Sequence, residues 1–130
     1  MASRERDWLD QAKRDLDHAR HALRDADFEW ACFAAQQASE KAVKAVYQRR
    51  GAEAWGHAVS DLLEGLREVE AIDESLLDMA RELDHHYIPS RYPNAHPQGA
   101  PFRYYTRGEA ERAISYGESI IRVCEDLLAQ

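Results

Sequence analysis

The sequence predicts an all-α protein, an antiparallel up-and-down bundle of four to five helices with one long proline-rich loop before the last helix. Apolar residues recur at steps of three and four through most of the 130 residues, which is the helical period. No segment alternates between apolar and polar residues as a half-buried strand does. All four prolines fall between residues 85 and 108, and a proline interrupts a helix because it lacks a backbone N–H.

Two long helices are predicted first. Ser3 is the expected N-cap of the first helix, whose apolar face carries Trp8, Ala12, Leu16, Ala19 and Leu23. Asp27 is the expected cap of a second helix that runs to Arg50, where Gly51 ends it. The inner face of the second helix is rich in alanine, which predicts close packing against its neighbours.

Three further helices complete the bundle. The third carries Leu62, Leu63, Leu66 and Val69. The fourth begins at Asp73 and carries Leu76, Leu77, Ala80, Leu83 and Tyr87. The fifth begins at a Thr106–Glu109 capping box and carries apolar residues from Ala110 to Leu128. The length predicts that residues 1–130 form a single domain.

Composition restricts the function. The formal net charge of −7 argues against a protein that coats DNA through broad positive charge. No apolar run approaches the roughly 20 residues that span a membrane, and the charged N-terminal segment lacks a signal-peptide core. Cys32 and Cys124 are isolated in helical segments, so we expect two buried free thiols and a cytoplasmic protein.

The segment 85–108 contains no Asp or Glu, although the chain as a whole is acidic. It holds three arginines, three of the six histidines and four of the six tyrosines. A stiff loop with positive charge, imidazoles and aromatic faces suits the binding or cleavage of an anion such as a nucleic-acid phosphate. No Gly-rich phosphate loop and no metal-ligand spacing accompany it, so we expect neither a cofactor nor a metal.

Arg91 and His96 are the candidate catalytic residues. An arginine offers a fork of donors to phosphate oxygens, and a histidine transfers protons near neutral pH. In an extended chain their Cα atoms would lie about 16 Å apart, at roughly 3.3 Å per residue. A β-turn at residues 92–95 would bring them closer, and a symmetric dimer could pair them across two chains. In the alternative interpretation, Arg91 caps the end of the fourth helix or forms a salt bridge there, and His96 is a surface loop residue.

Several other residues are candidates for supporting contacts to nucleic acid. Within the loop these are Tyr92, Asn94 and Arg103. On the second helix Lys41 and Lys44 form either a phosphate-contacting stripe or a solvated face. Gln36, Gln37 and Glu40 could form a hydrogen-bonded network inside the bundle or at a dimer seam.

Two segments carry a family resemblance: residues 32–45, which include Gln-Gln-Ala-Ser-Glu-Lys, and residues 87–96, which read Tyr-Ile-Pro-Ser-Arg-Tyr-Pro-Asn-Ala-His. With Trp55-Gly56-His57 and the Leu83-Asp84 pair, they resemble the HEPN family (higher eukaryotes and prokaryotes nucleotide-binding domain), in its small stand-alone prokaryotic form. The resemblance implies a helical bundle that usually dimerises. It also implies an R-x4–6-H motif, matched here by Arg91 and His96, that forms a composite metal-independent RNase site in many members, often toxins.

The resemblance further implies a minimal nucleotidyltransferase partner that acts as antitoxin. In some pairs this partner adenylylates a tyrosine two residues after the motif histidine, but Gln98 occupies that position here. Tyr92 also stands where toxin motifs often have Asn or Asp. Two functions therefore remain open: an endoribonuclease of a toxin–antitoxin pair, or a non-catalytic module that binds a nucleotide or the nucleotidyltransferase through the same loop.

Overall fold

The computed structural model describes residues 4–130 and contains, over that range, five α-helices and no strand. The helices are α1 (Glu5–Arg24), α2 (Phe28–Arg50), α3 (Val59–Leu66), α4 (Glu74–Asp84) and α5 (Arg107–Leu128). The all-α bundle and the proline-containing segment before its last helix are thus confirmed. The predicted cap Ser3 lies outside the described residues.

Helix α2 is the centre of the bundle. It packs mainly against α1 and α5 and also contacts α3 and α4. Its buried face is rich in alanine, as the sequence predicted, and α5 also buries small residues, namely Ala110, Ala113 and Gly117. A Cβ atom at Gly117 would lie 3.0 Å from Leu16 Cδ1 and 3.5 Å from the Ala35 carbonyl oxygen. Glycine at this position therefore permits the close approach of α5 to α1 and α2.

The helix ends follow local sequence signals only in part. Gly51 ends α2 in the left-handed conformation, with φ of 66°, as predicted. The Thr106 hydroxyl accepts a hydrogen bond from the Glu109 N–H at 3.1 Å, which confirms the cap of α5. Helices α3 and α4 are shorter than predicted, so Val69 and Tyr87 lie beyond their ends. At the end of α4 the N–H groups of His85, His86 and Tyr87 donate to carbonyl oxygens three residues back instead of four, so the helix passes into tighter turns after Asp84.

Asp84, the last residue of α4, caps the start of α3. Its carboxylate accepts hydrogen bonds from the N–H groups of Val59 at 2.8 Å and Ser60 at 3.0 Å, and from the Ser60 hydroxyl. A carboxylate at this position also complements the positive end of the α3 dipole. This contact fixes α3 against α4 at the point where the proline-rich loop begins.

Both cysteines are buried and free, as the sequence predicted. Burial raises the pKa of each thiol to about 12, so neither forms a thiolate near neutral pH. In the part of the chain that the structure describes, no helix is long and apolar enough to cross a membrane.

Candidate functional site

The proline-rich loop is built from tight turns. After α4 the chain continues in consecutive turns to Arg91, and two 3-10 turns follow, Pro93–Ala95 and Pro101–Arg103. Each 3-10 turn begins with a proline, whose fixed φ suits the first position of a helical turn. The Ala95 N–H donates to the Tyr92 carbonyl oxygen at 3.3 Å, which confirms the predicted turn between Arg91 and His96.

Arg91 is held among three aromatic rings. Its guanidinium carbon lies 4.2 Å from the ring centre of Phe33 on α2, 4.8 Å from that of Tyr87 and 5.0 Å from that of Tyr92. The Nε–H donates to the Tyr87 carbonyl oxygen at 2.9 Å. Within residues 4–130 the two terminal nitrogens have no hydrogen-bond or ion-pair partner, so their four N–H groups remain available to a ligand.

His96 is held from two sides. Its Nε2 lies 2.7 Å from the Pro89 carbonyl oxygen. The imidazole stacks on the ring of Tyr104, with 4.3 Å between ring centres and 13° between planes. The Tyr104 hydroxyl in turn donates to the Gln98 carbonyl oxygen. His96 is therefore a half-buried, oriented side chain rather than a freely moving surface residue.

His96 lines an open cleft of about 580 Å³ between α4 and α5. His85, His86 and Tyr105 line the same cleft, together with an ion pair between Glu82 and Arg112. Burial lowers the pKa of His86, whose Nδ1 lies 3.3 Å from the Tyr105 hydroxyl, and burial also raises the pKa of that hydroxyl. Arg91 does not line this cleft.

The predicted supporting residues fall into two groups. Tyr92, Asn94 and Arg103 are exposed on the loop, near the candidate pair in sequence. The two lysines of α2 instead contact carboxylates: Lys41 Nζ lies 2.6 Å from Asp15, and Lys44 Nζ lies 2.9 Å from Glu40. Neither lysine lines the His96 cleft, and Lys41 lines a separate pocket together with Phe33.

Two buried polar residues of α2, Gln36 and Glu40, contact the exposed His57 on the Arg91 side of the loop. The Gln36 side chain donates to the His57 carbonyl oxygen at 2.9 Å, and Glu40 contacts the His57 Nδ1 at 3.1 Å. The His57 ring then stacks on Tyr87, with 5.0 Å between ring centres. The polar residues of α2 thus form a network within the bundle. Through His57 they reach the Tyr87 ring, which also contacts the Arg91 guanidinium.

Sequence reasoning missed Phe33 and His57 as parts of this site. Both stand in the segments that carry the family resemblance, which is the one signal that could have singled them out. Their spacing along the chain gives no other indication, because α2 meets the loop only in the folded state. Among residues 4–130, no group of three or more His, Cys, Asp or Glu side chains is placed to hold a metal ion.

The fold and this loop define a class: a small helical-bundle protein that displays an ordered arginine and an ordered histidine on one acid-free loop. The chain belongs to the HEPN domain family, whose model matches residues 5–127. The protein named "Putative toxin MJ1304" from Methanocaldococcus jannaschii is 26% identical over 132 residues, covering 95% of this chain and 87% of that protein.

Two solved structures share both fold and sequence. TT1696 from Thermus thermophilus has a TM-score of 0.94 and 48% identity, covering 97% of this chain and 99% of that one. An HEPN domain protein, TM0613 from Thermotoga maritima, has a TM-score of 0.79 and 51% identity, covering 95% and 98% of the two chains. The likeness extends over nearly the whole chain, including the loop.

Proposed function

We propose that this protein is a toxin-like HEPN endoribonuclease that works without a metal ion. The observation that carries the proposal is that the Arg91 and His96 side chains are ordered and still able to bind a ligand. Both are oriented by neighbouring groups, and each keeps polar atoms that no described residue engages. Similarity to a family member named as a toxin supports the same class of function.

The proposed reaction is transesterification of RNA. Arg91 binds the scissile phosphate through its terminal N–H groups and stabilises the negative charge that develops there. His96 transfers protons as general base or acid. The 2′-oxygen forms a bond to phosphorus while the bond to the 5′-oxygen breaks. The proton of the 2′-hydroxyl ends on the leaving 5′-oxygen, which yields a 2′,3′-cyclic phosphate and a 5′-hydroxyl.

The proposed active unit is a homodimer in the cytoplasm. Within one chain, Arg91 lies against α2 whereas His96 lines the cleft between α4 and α5. A two-fold axis beside the loop would allow Arg91 of one chain and His96 of the other to face the same phosphate. A minimal nucleotidyltransferase is the expected antitoxin partner. Gln98 stands where some partners modify a tyrosine, so control by that route is not part of the proposal.

A second candidate is a non-catalytic module that binds a nucleotide or the nucleotidyltransferase. The separation of Arg91 from the His96 cleft favours it, because binding requires no convergence of the two side chains. The loop also exposes aromatic surface at Tyr92, Phe102 and Tyr104, which are 47%, 59% and 40% exposed. Exposed aromatic rings beside an arginine suit stacking against a base or packing against a protein partner.

The test is induced expression of the full chain, with growth and total-RNA integrity as readouts. We compare the wild type with Arg91→Lys and His96→Asn, and use Arg14→Lys and His21→Asn on the exposed face of α1 as matched controls. Loss of RNA with the wild type and both controls, but not with the two loop variants, is the expected result. Circular dichroism and gel filtration confirm that each variant is folded.

Two results would contradict the proposal. Intact RNA with the wild type favours the binding module. Cleavage that survives both loop substitutions excludes Arg91 and His96 as the catalytic pair.

A further inference from the structure

The two ring nitrogens of His96 have different environments. Nε2 lies 2.7 Å from the Pro89 carbonyl oxygen, and a carbonyl oxygen can only accept a hydrogen bond. Nε2 must therefore carry a proton in both the neutral and the charged imidazole. Nδ1 has no hydrogen-bond partner among residues 4–130. In the neutral ring, the free electron pair is consequently on Nδ1.

We propose that Nδ1 is the atom through which His96 exchanges protons with a ligand, and that the Pro89 carbonyl and the Tyr104 ring are its positioning groups. The inference rests on the proposed function for its chemical consequence, but the tautomer is a property of the free protein. A base must hold its electron pair towards the proton that it removes. Fixing the proton on Nε2 prepares Nδ1 for this role before RNA binds.

Tyr104 contributes orientation rather than chemistry. Its ring lies nearly parallel to the imidazole, with 13° between planes, and therefore restricts the tilt of His96 about its side-chain bonds. The Tyr104 hydroxyl is itself held by the Gln98 carbonyl oxygen. Gly99 has φ of 81°, a backbone conformation that residues other than glycine rarely adopt, and a Cβ atom there would lie 3.6 Å from Tyr104 Cε2.

The Pro89 carbonyl oxygen is a suitable acceptor for His96 Nε2 because it belongs to a rigid part of the backbone. Pro89 lies within the turns that follow α4, and its fixed φ stiffens the backbone there. The next residue, Ser90, is buried, and its hydroxyl donates to the His86 carbonyl oxygen. The acceptor for Nε2 is therefore part of a rigid segment, and it does not change with pH as a carboxylate acceptor would.

The experiment is nitrogen NMR of the full chain labelled with ¹⁵N-histidine, at a pH about two units above the ordinary histidine pKa of about 6.5. Long-range ¹H–¹⁵N correlations distinguish a protonated ring nitrogen from an unprotonated one. His96→Asn identifies the His96 signals by their loss. We expect one tautomer, with Nε2 protonated and Nδ1 not. Signals averaged like those of the exposed His21, or an Nδ1–H tautomer, would overturn the inference.

Two substitutions at Tyr104 test the positioning role. Tyr104→Phe keeps the stacked ring and should retain the single tautomer, whereas Tyr104→Leu removes the ring and should give averaged ring signals. In RNA cleavage, Tyr104→Leu should lower kcat by up to about a hundredfold with little change in KM, because a small misplacement of a catalytic group is costly. An unchanged His96 spectrum and an unchanged kcat in Tyr104→Leu would exclude that role.

The two proposals can fail separately. If the wild type cleaves RNA but His96 shows the other tautomer, the endoribonuclease proposal stands and this inference is wrong. If the wild type leaves RNA intact while the spectrum shows the Nε2–H tautomer, the positioning of His96 stands. The catalytic use of Nδ1 then fails together with the proposed reaction.

Discussion

The Arg91 guanidinium is held in one orientation, and its terminal N–H groups still remain available to a ligand. A guanidinium is weakly hydrated and planar, so it stacks on aromatic rings at a lower cost than an ammonium would. Each such contact contributes about 0.5–2 kcal/mol, depending on its exposure to water. The rings of Phe33 and Tyr87 contact the guanidinium, and the hydrogen bond from Nε–H to the Tyr87 carbonyl oxygen fixes its orientation. A lysine would keep the charge at this position but would lose the orientation.

His86 should make the stability of the protein depend on pH. Burial lowers its pKa in the folded chain, and this effect outweighs the opposing influence of Glu109 and Glu82. As pH falls from about 6.5 towards that lowered value, the unfolded chain takes up a proton that the folded chain does not. The free energy of unfolding should then fall by up to about 1.4 kcal/mol per pH unit.

Urea denaturation at several pH values between about 7.5 and 5.5 measures this dependence, in a range centred on the ordinary histidine pKa. His86→Gln should flatten the curve, whereas His21→Gln, at an exposed position, should leave it unchanged. Equal slopes for the wild type and His86→Gln would show that His86 is not the group responsible.

At the scale of elements, the sequence predicts those helices and helix ends that are determined by residues close together in the chain. The periods of α1, α2 and α5 and the ends at Gly51 and Thr106 follow from local patterns. The start of α3 does not, because its cap is Asp84, about 25 residues further along the chain. The site divides in the same way. Composition singles out the loop with Arg91 and His96, but only the packed bundle brings Phe33 to Arg91.

Asp84 gives a prediction for the α3–α4 unit. Asp84→Ala leaves the N–H groups of Val59 and Ser60 without an acceptor, which should lower the free energy of unfolding by about 1–3 kcal/mol. Asp84→Asn keeps one acceptor oxygen and should lose less. Asp10→Ala on the exposed face of α1 is the control, with an expected change within about 0.5 kcal/mol.

Chemical denaturation gives these free energies, and hydrogen exchange shows where protection is lost. The loss in Asp84→Ala should concentrate in α3 and the start of the loop. A variant as stable as Asp10→Ala would contradict the capping role.

At the scale of the whole molecule, charge is distributed unevenly. The net charge is −7, yet the 24 residues from His85 to Gly108 carry no carboxylate side chain. The acidic body disfavours non-specific binding to nucleic acid, while the loop can still attract a phosphate at short range. In the proposed dimer two such loops would lie side by side. Local positive charge would then double without any change in the body, which suits a site that contacts few phosphates.

The proposed composite site can be tested with mixed dimers. One chain carries Arg91→Ala and the other His96→Ala, with different affinity tags, so that only heterodimers are purified. If each site takes its arginine from one chain and its histidine from the other, one of the two sites retains both residues. The heterodimer should then have about half the wild-type RNase activity per dimer, whereas each mutant homodimer should have almost none.

A second heterodimer gives the opposite result and so controls for folding and assembly. Pairing a wild-type chain with the Arg91→Ala/His96→Ala double variant removes one member from both composite sites and should abolish activity. If the two residues act within one chain, the two outcomes are reversed. The first heterodimer is then inactive, and the second has about half the wild-type RNase activity per dimer. That reversal would contradict the composite site and would require Arg91 to leave its aromatic contacts and reach the His96 cleft when RNA binds.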